Sequence, residues 1–293
     1  MQENDISKYY AEVCIPSNSR LFLVEGINGA GKSSFIRWLT TKYSETSPIL
    51  TYRGKGIHPV DLLRTACFTE QEFSLWMKLS METLPLEKNN LFQEKINQYV
   101  VQEDDTYLVP YLYVLDQIPH QKELMTKAFE KEVYDGHVSA EKFMHCIHDR
   151  WRRFARIEET RSPKFIHVFE AVTFQYPIME LLGFHNMDKA AILSFVNNLV
   201  TNMLDLRPVL FYIDVQDVAN IIISTAKERP GWIHNYISWL STTKIAKERN
   251  LDGLKGVIQF CEMRQEIERF IIDRLPITCI RIKRESTNDI ISK

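Results

Sequence analysis

The stretch Leu21-Phe22-Leu23-Val24-Glu25-Gly26-Ile27-Asn28-Gly29-Ala30-Gly31-Lys32-Ser33-Ser34 decides the fold of this chain. Its first five residues form a continuous apolar run that ends in an acid, which predicts a short buried strand. After the glycines, Phe35, Trp38 and Leu39 recur at helical spacing, so a helix is expected from the lysine to about Tyr43. The stretch therefore predicts a strand, a glycine-rich turn and a helix in direct succession.

The glycine-rich part of this stretch predicts a phosphate-binding loop, because it matches the pattern G-x-x-x-x-G-K-[ST]. Glycines allow successive backbone N–H groups to point at one anion, and the positive end of the following helix faces the same anion. Lys32 would reach the β- and γ-phosphates, and the Ser33 hydroxyl would bind Mg²⁺. We expect ATP to be bound by the following residues: Gly26, Asn28, Gly29, Ala30, Gly31, Lys32, Ser33 and Ser34.

The composition argues against a nucleic-acid-binding, a disulfide-rich or a membrane-spanning protein. The 293 residues are 45% apolar and carry a formal net charge of −2, so a basic nucleic-acid-binding surface is not expected. The five cysteines are scattered and form no C-x-x-C pair, which favours free thiols in a reducing cytoplasm. No apolar run approaches the ~20 residues needed to cross a bilayer. We expect a cytoplasmic enzyme without nucleic-acid or membrane partners, and a homodimer is one form of assembly it could adopt.

Further apolar runs predict the rest of a sheet, at residues 49–52, 164–170, 209–214 and 278–282. Strands that alternate with helices and are apolar throughout indicate a parallel sheet covered on both faces. The predicted fold is α/β, a P-loop NTPase fold with a five-stranded parallel sheet flanked by helices on both faces. Its nucleotide-binding core would comprise residues 20–52 and 164–284.

Residues 53–163 separate the second predicted strand from the third, which is far more than one crossover helix requires. Helical spacing of apolar residues over 62–79, 91–100, 121–132 and 139–157 predicts a helical insertion, while 107–115 could be strand or helix. We expect this insertion to be a subdomain that binds the phosphate acceptor.

Three residues of the insertion are candidates for acceptor binding. His58 and Asp61 follow the second strand, where loops line the site of open α/β sheets. Pro59 and Asp61 could equally begin a helix. Arg150 could hold an anionic substrate, although a solvated helix face explains it as well.

Two acids end predicted strands beside the phosphate loop, Glu170 and Asp214. Either could hold Mg²⁺ or take the acceptor's proton. Glu170 is favoured because Gln175 and other polar residues follow it, whereas Asp214 could cap a helix over 215–227. Arg229 lies beyond that helix in a cation-rich segment that could close over the phosphates.

With these residues identified, the chain resembles the thymidylate kinases and related P-loop kinases. The resemblance rests on Glu25-Gly26 leading into Gly29-Ala30-Gly31-Lys32-Ser33, and it covers about 20–52 and 164–284. In that family the third strand ends in Asp-Arg with a glutamine a few residues later. This chain has Glu170, then Ala171 in place of the arginine, and then Gln175.

A group of bacterial thymidylate-kinase-like proteins is also similar, through His58-Pro59 with Asp61 and through Phe169-Glu170 with Phe174-Gln175. The resemblance implies transfer of a phosphoryl group from ATP to a small molecule, with Arg229 in the lid position. The insertion over 53–163 has no counterpart in the thymidylate kinases.

Three functions remain open at this point. The first is an ATP-dependent kinase for a nucleoside, a nucleotide or another hydroxyl-bearing metabolite or antibiotic. The second is a regulatory switch that hydrolyses nucleotide without a small-molecule acceptor, although the guanine-reading N-K-x-D tetrad of GTPases is absent from the sequence. The third is nucleotide binding without turnover, which the presence of both acids and the lid arginine disfavours.

Overall fold

Apolar runs in the sequence become the strands of a parallel sheet in the computed structural model of the chain. It describes residues 16, 18–43, 48–52, 57–103, 105–118 and 121–284. In chain order the strands are β1 (Leu21–Glu25), β2 (Ile49–Thr51), β3 (Ala66–Thr69), β4 (Val101–Glu103), β5 (Thr106–Val109), β6 (Ile166–Glu170), β7 (Val209–Val215) and β8 (Thr278–Arg284).

The helices occupy most of the remaining described residues. They are α1 (Lys32–Tyr43), α2 (Glu70–Thr83), α3 (Leu86–Tyr99), α4 (Tyr111–Val114), α5 (Lys122–Phe129), α6 (Ala140–Thr160), α7 (Gln175–Gly183), α8 (Lys189–Thr201), α9 (Val218–Glu228), α10 (Pro230–Thr242), α11 (Lys244–Arg249) and α12 (Gly253–Ile272). A short 3₁₀ helix, Leu204–Leu206, precedes β7. None of the helices within the described ranges is both long and apolar enough to cross a membrane.

The chain divides into two compact units. One is built from the described residues before 57 and after 150, and the other comprises 57–150. The first unit contains a five-stranded sheet in the order β2-β6-β1-β7-β8, and every neighbouring pair in it is parallel. The predicted α/β fold with a five-stranded parallel sheet flanked by helices is confirmed.

The position of β1 in the middle of this sheet explains why the four residues before Glu25 are all apolar. All five residues of β1 are buried, and six of the seven residues of β7 are buried as well. A strand buried at consecutive positions has both of its faces covered, because successive side chains point to opposite faces. The alternation of helix and strand along the chain provides that cover.

Because all five strands are parallel, their carboxyl ends lie along one edge of the sheet. Val24 of β1 pairs with Glu170 of β6, and Glu25 pairs with Tyr212 of β7. After β1 the chain continues to β2 and β6 on one side of β1, and after β6 it crosses to β7 and β8 on the other side. Ligands of open α/β sheets bind at the carboxyl edge where the strand order reverses in this way.

The second unit has a core of its own. Its three strands form an antiparallel sheet in the order β3-β5-β4. Aromatic rings fill the space between this sheet and α2 and α3, with Phe68, Trp76 and Phe92 all buried and in ring contact. The unit therefore folds around a local apolar cluster.

This unit corrects the prediction of a purely helical insertion. Residues 62–79, predicted as one helix, contain β3, and α2 starts only at Glu70, where Thr69 and Glu72 form a capping box. Tyr107–Leu115, left as strand or helix, contains part of β5 and all of α4. The unit ends at residue 150, whereas the predicted insertion extended to 163, and residues 53–56 lie outside the described ranges.

Four cysteines lie in the described ranges, and each is a free thiol. Cys67 and Cys146 are close neighbours within the second unit, with their sulfurs 3.3 Å apart and both side chains buried. Cys261 is buried in α12, and Cys279 is half-buried in β8. The prediction of free thiols is confirmed for these four, and Cys14 lies outside the described residues.

Candidate functional site

Residues 26–31, named here the glycine-rich turn, connect β1 to α1 at the carboxyl edge of the sheet. Its three glycines have positive φ angles of +138°, +80° and +102°. L-residues with side chains rarely adopt such angles, so the path of the turn depends on glycine. The hydrogen bonds of α1 begin with Ser34 and Phe35, which both donate to the Gly31 carbonyl. The N–H groups of Lys32 and Ser33 therefore lie at the positive end of the helix.

The Lys32 ammonium lies within the site. Its Nζ donates to the carbonyl oxygens of Gly26 at 2.8 Å and Ile27 at 3.0 Å, and to Gln175 Oε1 at 2.8 Å. Burial lowers its pKa to about 8, and the nearby Arg264 cation acts in the same direction, while the carboxylates around it oppose the shift. The residue predicted to bind phosphate is thus buried, is mostly protonated at neutral pH and touches the turn that it follows.

Glu25 fixes the loop that follows the neighbouring strand. This residue is fully buried, and its carboxylate accepts hydrogen bonds from the backbone N–H groups of Thr173 at 2.7 Å and Gln175 at 3.2 Å. Burial raises the pKa of Glu25 to about 7, although those two hydrogen bonds and the Lys32 charge lower it. An acid inside an apolar strand, directly before the motif, was the signal that could have identified this residue from sequence.

Ser33, in the first turn of α1, and Glu170, at the end of β6, are in side-chain contact. Ser33 Oγ donates to Glu170 Oε1 at 3.1 Å, and both side chains are half-buried. Glu170 is the last residue of β6, and the parallel register sets it beside Val24. The two residues predicted to bind a metal thus share one edge of the sheet, and their hydroxyl and carboxylate are oxygen ligands of the kind that Mg²⁺ prefers.

Asp214, the alternative acid, does not have the predicted role of a helix cap, and its role in metal binding or proton transfer stays a prediction. β7 continues to Val215, so Asp214 lies inside the strand and does not cap a helix. Asp217 caps α9 instead, accepting from the Asn220 N–H at 2.8 Å. Asp214 Oδ1 accepts from Arg269 Nε at 3.0 Å and Nη2 at 2.7 Å. The Asp214 carboxylate is thus engaged by the Arg269 guanidinium.

Helix α9 packs directly on the glycine-rich turn. A methyl group built at Gly29 would lie 2.1 Å from Thr225 Oγ1 and 3.1 Å from Ile221 Cγ2. Arg229 follows Thr225 by one helical turn, and its backbone N–H donates to the Thr225 carbonyl at 2.9 Å. The Arg229 side chain is exposed. The predicted lid cation therefore lies at the junction of α9 and α10, close in sequence to a residue that contacts the turn.

Two arginines from the end of the chain also reach the turn, and sequence analysis assigned a role to neither. Arg264 Nη1 of α12 donates to Asn28 Oδ1 at 3.2 Å, and Arg284 Nη1 of β8 donates to the Gly29 carbonyl at 2.8 Å. The position of Arg264 on the apolar stripe of α12, three residues after Cys261, was a detectable signal. Arg284 at the end of a strand carried no such signal.

The three residues predicted to bind the acceptor are His58, Asp61 and Arg150. All three lie in the second unit, and each has hydrogen-bond partners within it. His58 Nδ1 accepts from the N–H groups of Val60 at 3.1 Å and Asp61 at 3.0 Å, so it is the unprotonated ring nitrogen. Burial lowers the pKa of His58 to about 3, and the Arg150 charge adds to this effect.

Asp61 and Arg150 also have partners within the second unit. Asp61 Oδ1 accepts from the Leu63 N–H at 3.0 Å, and burial raises the pKa of Asp61 to about 6. Arg150 Nη1 lies 3.4 Å from Glu103 Oε1. These contacts are local, and a role for the three residues in acceptor binding stays a prediction.

The described residues thus bring together Lys32, Ser33, Glu170 and Gln175 around the glycine-rich turn. Within the described ranges, no group of three or more His, Cys, Asp or Glu side chains could hold a metal ion by itself. Any cation at this site would need further oxygen ligands from a bound molecule or water. Comparison with protein-family models, with curated proteins and with solved structures found no match to this chain.

Proposed function

We propose that this protein is an ATP-dependent phosphotransferase of the P-loop kinase type, which transfers the γ-phosphate to a small molecule. The observation that carries the proposal is the buried Lys32 ammonium, held against the carbonyls of a turn with three positive-φ glycines at the switch point of a parallel sheet. A turn of this kind at a helix start is a ready-made phosphate site. In the proposal, the glycine-rich turn is the phosphate loop.

A phosphate oxygen of the triphosphate would replace one of the present hydrogen-bond acceptors of Lys32. Its ammonium now donates to Gln175 as well as to two carbonyls, and a phosphate oxygen is a stronger acceptor than a neutral amide because it is charged. We propose that Lys32 exchanges Gln175 Oε1 for a phosphate oxygen on binding. Gln175 would then be released towards the acceptor, in agreement with its predicted contact with substrate.

Ser33 and Glu170 would hold the metal ion. Their oxygens are already 3.1 Å apart on adjacent elements, so both could bind one cation with little movement. When bound, Mg²⁺ neutralises charge on the β- and γ-phosphates. The protein would hold these two oxygens at the end of the phosphate loop. Glu170 could also orient an acceptor hydroxyl or take its proton.

Arg229 would supply further positive charge. It is exposed at a helix junction one turn from Thr225, which contacts Gly29. A guanidinium at such a junction can swing over the phosphates and stabilise charge that develops during transfer. The acceptor would be a nucleoside, a nucleotide or another hydroxyl-bearing metabolite or antibiotic, and residues 57–150 remain our candidate for the segment that selects it.

Replacement of Lys32 tests the proposal. Isothermal calorimetry with magnesium and ATP should give binding heat with the wild type, and Lys32→Met should weaken binding and lower acceptor-dependent ADP release by about 10²-fold or more. Lys255→Met, at an exposed lysine of α12, is the matched control and should change neither quantity. Wild-type affinity in Lys32→Met, or no heat with any nucleoside triphosphate in the wild type, would contradict the proposal.

The identity of the acceptor can be sought with the same protein. ADP release is measured across nucleosides, nucleotides and aminoglycoside-like compounds at saturating ATP. A rise with one class of compound identifies the acceptor, whereas ADP release that is independent of every compound would favour the regulatory nucleotide-hydrolysing switch.

A further inference from the structure

Arg264 is a fully buried arginine whose side chain ends at the glycine-rich turn. It lies in α12, and its Nη1 donates to the Asn28 side chain at 3.2 Å. Its Nε lies 2.9 Å from Oε1 of Glu268, which is one helical turn further on and equally buried. The guanidinium is thus held at Nε by Glu268 of the same helix, and its Nη1 contacts Asn28 of the turn.

The helix that carries Arg264 is itself tied to the central sheet. Glu268 Oε2 accepts from the Tyr212 hydroxyl at 2.8 Å, and Gln265 Nε2 donates to the Val215 carbonyl at 3.0 Å. Both partners belong to β7, the strand beside β1. A continuous series of contacts therefore runs from β7 through Glu268 and Arg264 to Asn28.

Stability alone does not account for this arginine. Arg264 Nη2 forms no hydrogen bond with any described residue, although it is buried. A buried polar atom without a hydrogen bond destabilises the folded state, because it has lost its hydrogen bonds to water. Well-packed apolar side chains often replace a buried ion pair without loss of stability. The guanidinium is better explained by the group it holds.

We propose that Arg264 is a positioning residue of the nucleotide site, which fixes the Asn28 side chain and so keeps the glycine-rich turn in its phosphate-binding conformation. This inference rests on the proposed function. Asn28 is half-buried and lies between Ile27, whose carbonyl accepts from Lys32, and Gly29, which packs on Thr225. The hydrogen bond from Arg264 to the Asn28 side chain can therefore restrain the whole turn.

The test is a double-mutant cycle on the affinity for magnesium and ATP, measured by calorimetry with the full chain. Asn28→Ala removes the contact from the side of the turn. Arg264→Met with Glu268→Gln removes it from the side of α12 and eliminates both buried charges together, so that no unpaired ion remains. Each change should weaken binding by about 10-fold, and the combination should weaken it no further than either alone.

Gln265→Met is the matched control, because it removes a buried hydrogen bond from the same helix without touching the turn. It should lower the thermal unfolding temperature and leave the affinity unchanged, which separates a structural role from a positioning role.

If the variant with Arg264→Met and Glu268→Gln does not fold, Asn28→Ala alone still decides, since wild-type affinity in Asn28→Ala would overturn the inference. Additive losses would overturn it too. No binding by the wild type would overturn the proposed function as well, whereas wild-type binding with unaffected variants would overturn only this inference.

Discussion

Glu25 is a buried acid whose protonation changes near neutral pH. Its carboxyl group is fully buried at the end of β1, and burial raises its pKa from 4.5 to about 7. The folded protein therefore binds this proton more tightly than the unfolded chain does. The contribution of the group to the free energy of unfolding is complete below about pH 4.5 and is lost as the pH rises through 7.

Replacement of Glu25 by glutamine should remove this dependence. The difference in the free energy of unfolding between pH 5 and pH 7.5, measured with urea, should be smaller in Glu25→Gln than in the wild type by up to about 3 kcal/mol. Lys32 has a pKa lowered from 10.5 to about 8, so its contribution rises only above pH 8 and does not enter this range. Equal slopes in the two proteins would contradict the raised pKa of Glu25.

The two acids beside the glycine-rich turn should differ in function. Glu170 contacts Ser33, whereas Asp214 is engaged by Arg269. Glu170→Gln should therefore leave ATP affinity nearly intact and lower the rate of phosphoryl transfer by about 10²-fold or more, while Asp214→Asn should lower it much less. Single-turnover kinetics would measure both. An equal loss from Asp214→Asn would transfer the role to Asp214.

At the scale of elements, the five strands of the parallel sheet could be predicted from the sequence, whereas β3 could not. β1, β6 and β7 are nearly continuous buried runs, and their pattern does not depend on a distant partner. β3 was missed because four apolar or small residues can belong to a helix or a strand, and its partner β5 is some 40 positions away. The cap of α9 was missed because β7 is longer than its apolar run indicated.

The contact between α9 and the glycine-rich turn predicts that Gly29 cannot be replaced. In Gly29→Ala the new methyl group would overlap Thr225 Oγ1, and φ of +80° would cost alanine about 1–2 kcal/mol in addition. We expect lower thermal stability and weaker binding of magnesium and ATP. Thr225→Ala in the same chain should restore part of the loss, because it removes the overlapping oxygen.

Gly231 of α10 is the matched control for this substitution. A methyl group there meets no atom within 4 Å, and alanine is favoured over glycine within helices by about 0.5–1 kcal/mol. Gly231→Ala should therefore keep or raise stability without changing nucleotide binding. Gly29→Ala with unchanged unfolding temperature would show that α9 does not restrain the turn.

At the scale of the whole molecule, the local part of the candidate site could be predicted, whereas of its long-range part only the proximity of Glu170 to Ser33 was expected. The glycine-rich turn, Lys32 and Ser33 form one motif within eight residues. The bonds of Lys32 to Gln175 and of Asn28 to Arg264 join residues more than a hundred positions apart. Their meeting depends on the order of strands in the sheet, which a motif does not encode.

The two separate cores predict where a nucleotide should stabilise the molecule. A ligand at a hundred times its dissociation constant stabilises the state that binds it by about 2.7 kcal/mol. Magnesium and ATP without acceptor should therefore slow hydrogen exchange at residues 26–34 and 171–175 more than in the β3-β5-β4 sheet. Mass spectrometry of peptides would measure this, with Lys32→Met as the control that shows no protection. Slowing confined to residues 57–150 would contradict the proposed site.

The carboxylate of Glu25 accepts its two hydrogen bonds from main-chain groups, and this has a consequence for what sequence the loop after β6 can tolerate. The Thr173 hydroxyl is buried and forms no hydrogen bond with any described residue, so valine, which has nearly the same shape, should serve there equally well. Proline is the one amino acid without an N–H to donate. In a library randomised at position 173 and selected for folding, we expect several small side chains to survive and proline to be missing.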